Sequence, residues 1–97
     1  MLFFGVIRSF KDAEAEKIFN RIRSKRFASL ERVILKKLRS LGRAAVLDDL
    51  KNPPGNRLEA LRGDRKGQQS IRINDQWLVC FIWRENHAYE VEIVDYH

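Results

Sequence analysis

Two hydrophobic periods divide the chain. Ala15, Ile18, Phe19 and Ile22 recur at helical spacing behind Asp12, whose carboxylate suits a helix cap, and Lys17, Arg21 and Lys25 point elsewhere. A second and clearer stripe, Leu30, Val33, Ile34, Leu38 and Leu41, predicts another helix, with Ser29 placed to cap it and Gly42 to end it. Ahead of both, Val6 to Phe10 alternates as a short strand would.

A short helical turn is expected from Ala44 to Leu50, and "KNPPGN" then breaks the helical pattern. Beyond it the period drops to two. Strands are predicted over Arg57 to Leu61, Gln69 to Ile73, Trp77 to Trp83 and Ala88 to Val94. Asn74-Asp75 and Glu85-Asn86-His87 supply the hairpin signals. In the second strand Ile71 and Ile73 face inward and Ser70 and Arg72 outward. Trp77 to Trp83 is apolar on both faces, as a central strand covered on both sides would be. Helices first and hairpin-linked strands later predict an α+β fold, with two N-terminal helices packed on a twisted antiparallel sheet.

Ninety-seven residues with 44% hydrophobic composition fit one compact domain over the whole chain. Charge sharpens this picture. Residues 1–50 carry twelve basic and six acidic side chains, whereas residues 51–97 carry seven of each. Between Lys17 and Arg43 ten Lys and Arg stand against Glu31 alone, a density that suits a nucleic acid, the ribosome or an acidic protein. Cys80 is the single cysteine, so no internal disulfide forms and a reducing cytoplasm is the expected compartment. "MLFFGV" is far too short for a membrane span, and no membrane association is expected.

Candidate chemistry is narrow. Two histidines ten residues apart and one cysteine inside "WLVCFIW" make no familiar metal set, and nucleotide-binding glycine loops are absent, so neither metal nor cofactor is expected. The remaining groups suit acid/base cleavage of a phosphodiester. RNA brings its own nucleophile, the 2′-hydroxyl; an enzyme adds a base, an acid for the leaving oxygen, and cations for the developing charge. His97 is the candidate acid, because an imidazole titrates at about 6.5 and serves in both proton states near neutrality. Asp95 lies beside it in sequence, and Tyr96 can donate to a phosphate oxygen or stack on a base. Arg57, Arg62, Arg65, Lys66 and Arg72 are candidates for phosphate contact, Arg especially for its two-pronged grip. Glu59 is a candidate proton acceptor. These residues alone favour a noncatalytic nucleic-acid binder over a nuclease.

Taken together, "PPGNRLEALRGDRKGQQSIRINDQW", "CF" and the closing "VEIVDYH" resemble the HigB-type toxins of bacterial toxin–antitoxin pairs, within the RelE/ParE superfamily. The likeness runs from Ile7 to His97, and Met1 to Gly5 looks like an N-terminal extension of the family pattern. The resemblance implies a RelE-like fold and a metal-independent toxin that cleaves messenger RNA on the ribosome. It implies that Asp95, Tyr96, His97 and Arg62 belong to the active site; relatives carry histidine or glutamate at the position of Glu59. It also implies a small HigA-type helix-turn-helix antitoxin as partner, through which operator DNA would be bound. One departure stands out. Such toxins read W-R-[IL]-C-F where this chain reads "WLVCF", so Leu78 replaces an arginine thought to stabilise the cleaved phosphate. That substitution points to an attenuated enzyme, or to a catalytically silent protein that acts by binding; the competing expectation is that Leu78 belongs to an all-apolar central strand and that Arg72 or Arg65 supplies the charge. A ParE-like gyrase poison on the same fold is a third reading, which the Asp-Tyr-His ending disfavours.

Overall fold

The computed structural model describes residues 6–96; the expectations for Met1 to Gly5 and for His97 lie outside the described residues. Helix α1 spans Ala13–Phe19 and α2 spans Glu31–Arg43, the longer helix therefore lying toward mid-chain rather than at the N-terminus. Four strands follow, β1 (Glu59–Ala60), β2 (Gln69–Arg72), β3 (Trp77–Arg84) and β4 (His87–Asp95). They form an antiparallel meander in the order β1-β2-β3-β4, so the α+β expectation holds.

Asp12 caps α1 as expected, its side chain accepting from Glu14 N at 2.9 Å, and it also receives Ile93 N at 3.2 Å, which ties the helix to β4. The helix stops one turn earlier than the apolar spacing suggests. Arg21 takes a left-handed conformation (φ 62°), Ile22 N bonds back to Lys17 O at 2.8 Å and Arg21 N to Ile18 O at 3.0 Å, a Schellman closure with arginine where glycine is usual. Ile22 is thus left outside the helix and 54% exposed. Ser29 does not cap α2. A 3₁₀ turn over Ala28–Leu30 leads straight into the helix, whose N-cap position, Leu30, offers no side-chain bond. Gly42 lies buried inside the last turn, and the helix ends as Ala44 becomes extended.

The sheet is shorter at its start than predicted. Arg57 sits at φ 47°, which no strand accommodates, so only Glu59 and Ala60 pair with β2. The predicted strand over Val6 to Phe10 pairs in parallel along the outer edge of β4, through Arg8 N to Ala88 O (2.8 Å) and Val91 N to Ser9 O (3.1 Å), as two separate bridges. What separates them is a bulge in β4. Glu90 is left-handed (φ 51°) and the register with β3 slips between Cys80 and Ile82. The slip reverses the side-chain alternation, so Ala88 and then Val91 and Ile93 all point to the core.

That core joins Ile18, Ile34, Leu38 and Leu41 of the helices to Ile71, Val79, Phe81, Val91 and Ile93 of the sheet. Trp77 meets Phe27 edge-on at 5.0 Å. Three successive residues of β3, Val79, Cys80 and Phe81, are buried, as a strand covered on both faces requires. Two hairpins hold the meander. Asn74 Oδ1 accepts from Gln76 N and Trp77 N, both at 2.9 Å, and Glu85 and Asn86 both take positive φ, which fits a two-residue turn between Arg84 and His87.

Candidate functional site

Strand register fixes what shares the sheet face turned away from the helices. Paired residues project to the same side, so Glu59, Ser70, Cys80 and Glu92 form one rung across all four strands, and Arg72, Leu78 and Val94 form the next. Ser70 was expected to face solvent on this side; it is on this side but buried, 1% exposed, beside fully buried Cys80. The segment between β1 and β2 accounts for the cover. Arg65, in a turn over Gly63–Arg65, donates from Nη1 to Gln68 Oε1 and to Glu92 Oε2, both at 3.0 Å.

Cys80 lies under this contact. Burial pushes its thiol up to about 11, with the Glu92 carboxylate adding to the rise and the Arg65 guanidinium opposing it. A thiol so held is inert rather than nucleophilic.

The second rung leads to the closing residues. Arg72 Nε donates to Asn74 O at 3.2 Å, and its Nη2 is paired with the Asp75 carboxylate. Tyr96 is 46% exposed, and its hydroxyl reaches the same Asn74 oxygen at 3.5 Å, the long end of the hydrogen-bonding range. Arg72 and Tyr96 therefore converge on one carbonyl. Tyr96 N is fixed by Gln76 O at 3.1 Å, and Gln76 Nε2 donates to Asp95 Oδ2 at 3.0 Å. Asp95 is opposite Trp77 in the ladder, the other parity from Val94, so it stands on the core side of the strand and not on the Arg72 rung.

The remaining predicted residues divide clearly. Glu59 is exposed on the first rung, and Arg62 and Lys66 are exposed on the turn that carries Arg65. Arg57 is exposed ahead of β1 and lies outside the paired rungs. Two participants escaped sequence reasoning: Glu92, which also lies 3.8 Å from Lys11 Nζ, and Asp75. The Glu90/Glu92 alternation hinted at the first, but without the register nothing connected it to Arg65.

Among the described residues no group of three His, Cys, Asp or Glu side chains is assembled as a metal set, and no helix is long and apolar enough to cross a membrane. A hollow of about 290 Å³ lies away from this face, lined by Ile18, Ile22 and Leu35 with Arg21, Arg23, Glu31 and Arg32.

Fold and sequence define the class: this is a toxin of the RelE-like kind. The chain belongs to the RelE-like toxins of the type II toxin–antitoxin system HigB, whose family pattern matches residues 8–97. It is 40% identical to Toxin HigB-1 of Vibrio cholerae serotype O1 over 81 residues, 81% of this chain and 85% of that protein. Among solved structures it resembles a YoeB–YefM complex from Staphylococcus aureus (TM-score 0.54, 18% identity, 94% of this chain and 97% of that one). A solution structure of a conserved hypothetical protein from Helicobacter pylori is similarly close (TM-score 0.56, 17% identity, covering 99% and 96%). At those identities the likeness is one of fold.

Proposed function

We propose that this toxin is an endoribonuclease that cuts messenger RNA on the translating ribosome, without a metal ion. The observation that carries the reading is the meeting of Arg72 and Tyr96 at the Asn74 carbonyl, on the sheet face that also holds Glu59 and Arg65. A guanidinium and a phenol can grip an RNA phosphate, and a carboxylate on the same sheet face can take the proton of the attacking 2′-hydroxyl.

In this mechanism Glu59 accepts the 2′-hydroxyl proton. Arg62, Arg65 and Arg72 hold the phosphorane oxygens, and Lys66 and Arg57 steer the RNA strand. His97 protonates the departing 5′-oxygen, Asp95 orients it, and Tyr96 donates to a phosphate oxygen or stacks on a base. The basic stretch from Lys17 to Arg43 meets ribosomal RNA. A HigA-type helix-turn-helix antitoxin neutralises the toxin and brings the pair to operator DNA; the cytoplasm is the site of action. Two of the solved neighbours are YoeB–YefM toxin–antitoxin complexes, which supports the antitoxin partner.

Leu78 favours a second reading. It lies between Arg72 and Val94 on this face and offers a phosphate nothing, consistent with a silent toxin that acts by binding. Primer extension on a message during translation separates the two. Codon-phased cuts that vanish in His97→Gln are expected of the enzyme; a wild-type chain that halts translation and leaves the message intact would establish the binder.

A further inference from the structure

Glu92 joins three chain segments that the proposed mechanism does not connect. Its Oε2 accepts from Arg65 Nη1 at 3.0 Å and lies 3.8 Å from Lys11 Nζ, and its side chain is only 16% exposed. Lys11 follows the edge segment, Glu92 is in β4, and Arg65 belongs to the basic turn between β1 and β2.

Leu61 N to Gln68 O at 2.9 Å and Gln68 N to Arg65 O at 3.0 Å tie that turn to its own hairpin. It is bracketed by Gly63 (φ +64°) and Gly67 (φ +97°), and a Cβ at either position would find no atom within 4 Å. Backbone bonds close it locally, Arg65 N to Arg62 O at 3.2 Å and Lys66 N to Gly63 O at 3.1 Å, without attaching it to β4. The side chain of Arg65 makes that attachment. Buried Cys80 beneath the ion pair marks a poorly hydrated floor, where a charge pair holds its geometry better than at an open surface.

The direction of the contact matters. Both of these Arg65 bonds use Nη1, and Nη2 and Nε remain for a second acceptor. A carboxylate beside a phosphate-binding cation weakens simple attraction for a polyanion, so binding alone gains nothing from Glu92. A cation that must be in place before charge develops does gain. Glu92 Oε2 already meets two cations, whereas Glu59 stands exposed, which separates a holding carboxylate from the candidate base.

We propose that Glu92 is a positioning residue that fixes the Arg65 guanidinium, and with it the Arg62–Lys66 turn, over the β3–β4 face to receive an RNA phosphate. The proposal rests on the nuclease reading for its kinetic consequence and on the ion pair alone for its structural one.

The test uses the full chain as wild type, Glu92→Leu and Glu92→Gln, with melting curves to establish that each is folded. Binding of a fluorescent RNA oligonucleotide is measured beside single-turnover cleavage of ribosome-bound message, and the Arg65 Nε–Hε resonance is followed by NMR. Glu92→Leu is expected to slow cleavage by about tenfold to a hundredfold while RNA affinity holds or rises, because a negative charge has gone and the cation is no longer placed. Glu92→Gln, which keeps an acceptor for Arg65, is expected to recover most of the rate. The Arg65 signal should broaden or shift in Glu92→Leu and stay near its wild-type place in Glu92→Gln. Folded Glu92→Leu with an unchanged Arg65 signal, or with cleavage as fast as wild type, overturns the proposal. If wild type binds RNA and cuts nothing, the nuclease reading falls and the Arg65 resonance still decides whether Glu92 sets the guanidinium.

Discussion

Arg72 and Leu78 are direct partners across β2 and β3, with both side chains on the sheet face away from the helices. A guanidinium at either position enters the same space, since side chains so paired lie about 5 Å apart. Position 72 therefore stands where it can supply the charge that Leu78 lacks. Arg72→Leu is expected to lower cleavage on the ribosome by about a hundredfold, and Leu78→Arg in that background to restore part of it. Leu78→Arg by itself should make the protein markedly more growth-inhibitory at matched expression. Wild-type cleavage by Arg72→Leu would remove Arg72 from the mechanism.

Cys80 offers a check on the covered rung. A thiol pushed up to about 11 carries roughly a hundredfold less thiolate near neutrality than an ordinary one at 9.0, before burial restricts access further. Iodoacetamide should therefore label native protein at least about a hundredfold more slowly than urea-unfolded protein. Labelling at equal rates would mean that the Arg65–Glu92 segment does not cover the strand.

Asn56 holds the "KNPPGN" break in place and is fully buried. Its Nδ2 donates to Leu50 O and Asn52 O, both at 3.1 Å, and its Oδ1 accepts from Lys37 Nζ, an ammonium whose pKa is lowered by burial first and by nearby Lys36 second. Asn56→Ala strands a buried carbonyl and the Lys37 donor together. A loss of about 2–4 kcal/mol is expected, lowering the melting temperature by on the order of 10 °C. A melting curve unchanged within a degree or two would sink this account.

Acid should loosen the joint between the helices. Glu14 Oε1 accepts from the buried Ser24 hydroxyl at 2.7 Å, and that bond, followed by the one from Lys17, holds its carboxyl below the ordinary 4.5. A carboxyl depressed in the folded state contributes stability that is present above 4.5 and lost as pH falls through its lowered folded value. Glu14→Gln should therefore show a shallower loss of melting temperature than wild type on acidification below that point. Parallel acid profiles would show that Glu14 has no part in it.

How much of this was legible in the chain follows from the range of the forces involved. Spacing placed both helices, the Asp12 cap, the two hairpins and the doubly covered Trp77–Trp83 strand, because each depends on residues close in sequence. The ordered run from Pro53 to Trp77 and the Asp-Tyr-His ending carried the family, since such a run of residue types is itself specific. Ending α1 at Arg21 and bulging β4 at Glu90 were not legible, because neither residue type advertises a left-handed backbone; only packing and pairing with distant strands hold it there. The same holds for the site. Composition supplied arginines, carboxylates and a tyrosine, but register alone, which is set by the whole sheet, decided that Arg72 lies beside Leu78, that Asp95 turns to the opposite parity, and that Glu92 meets Arg65.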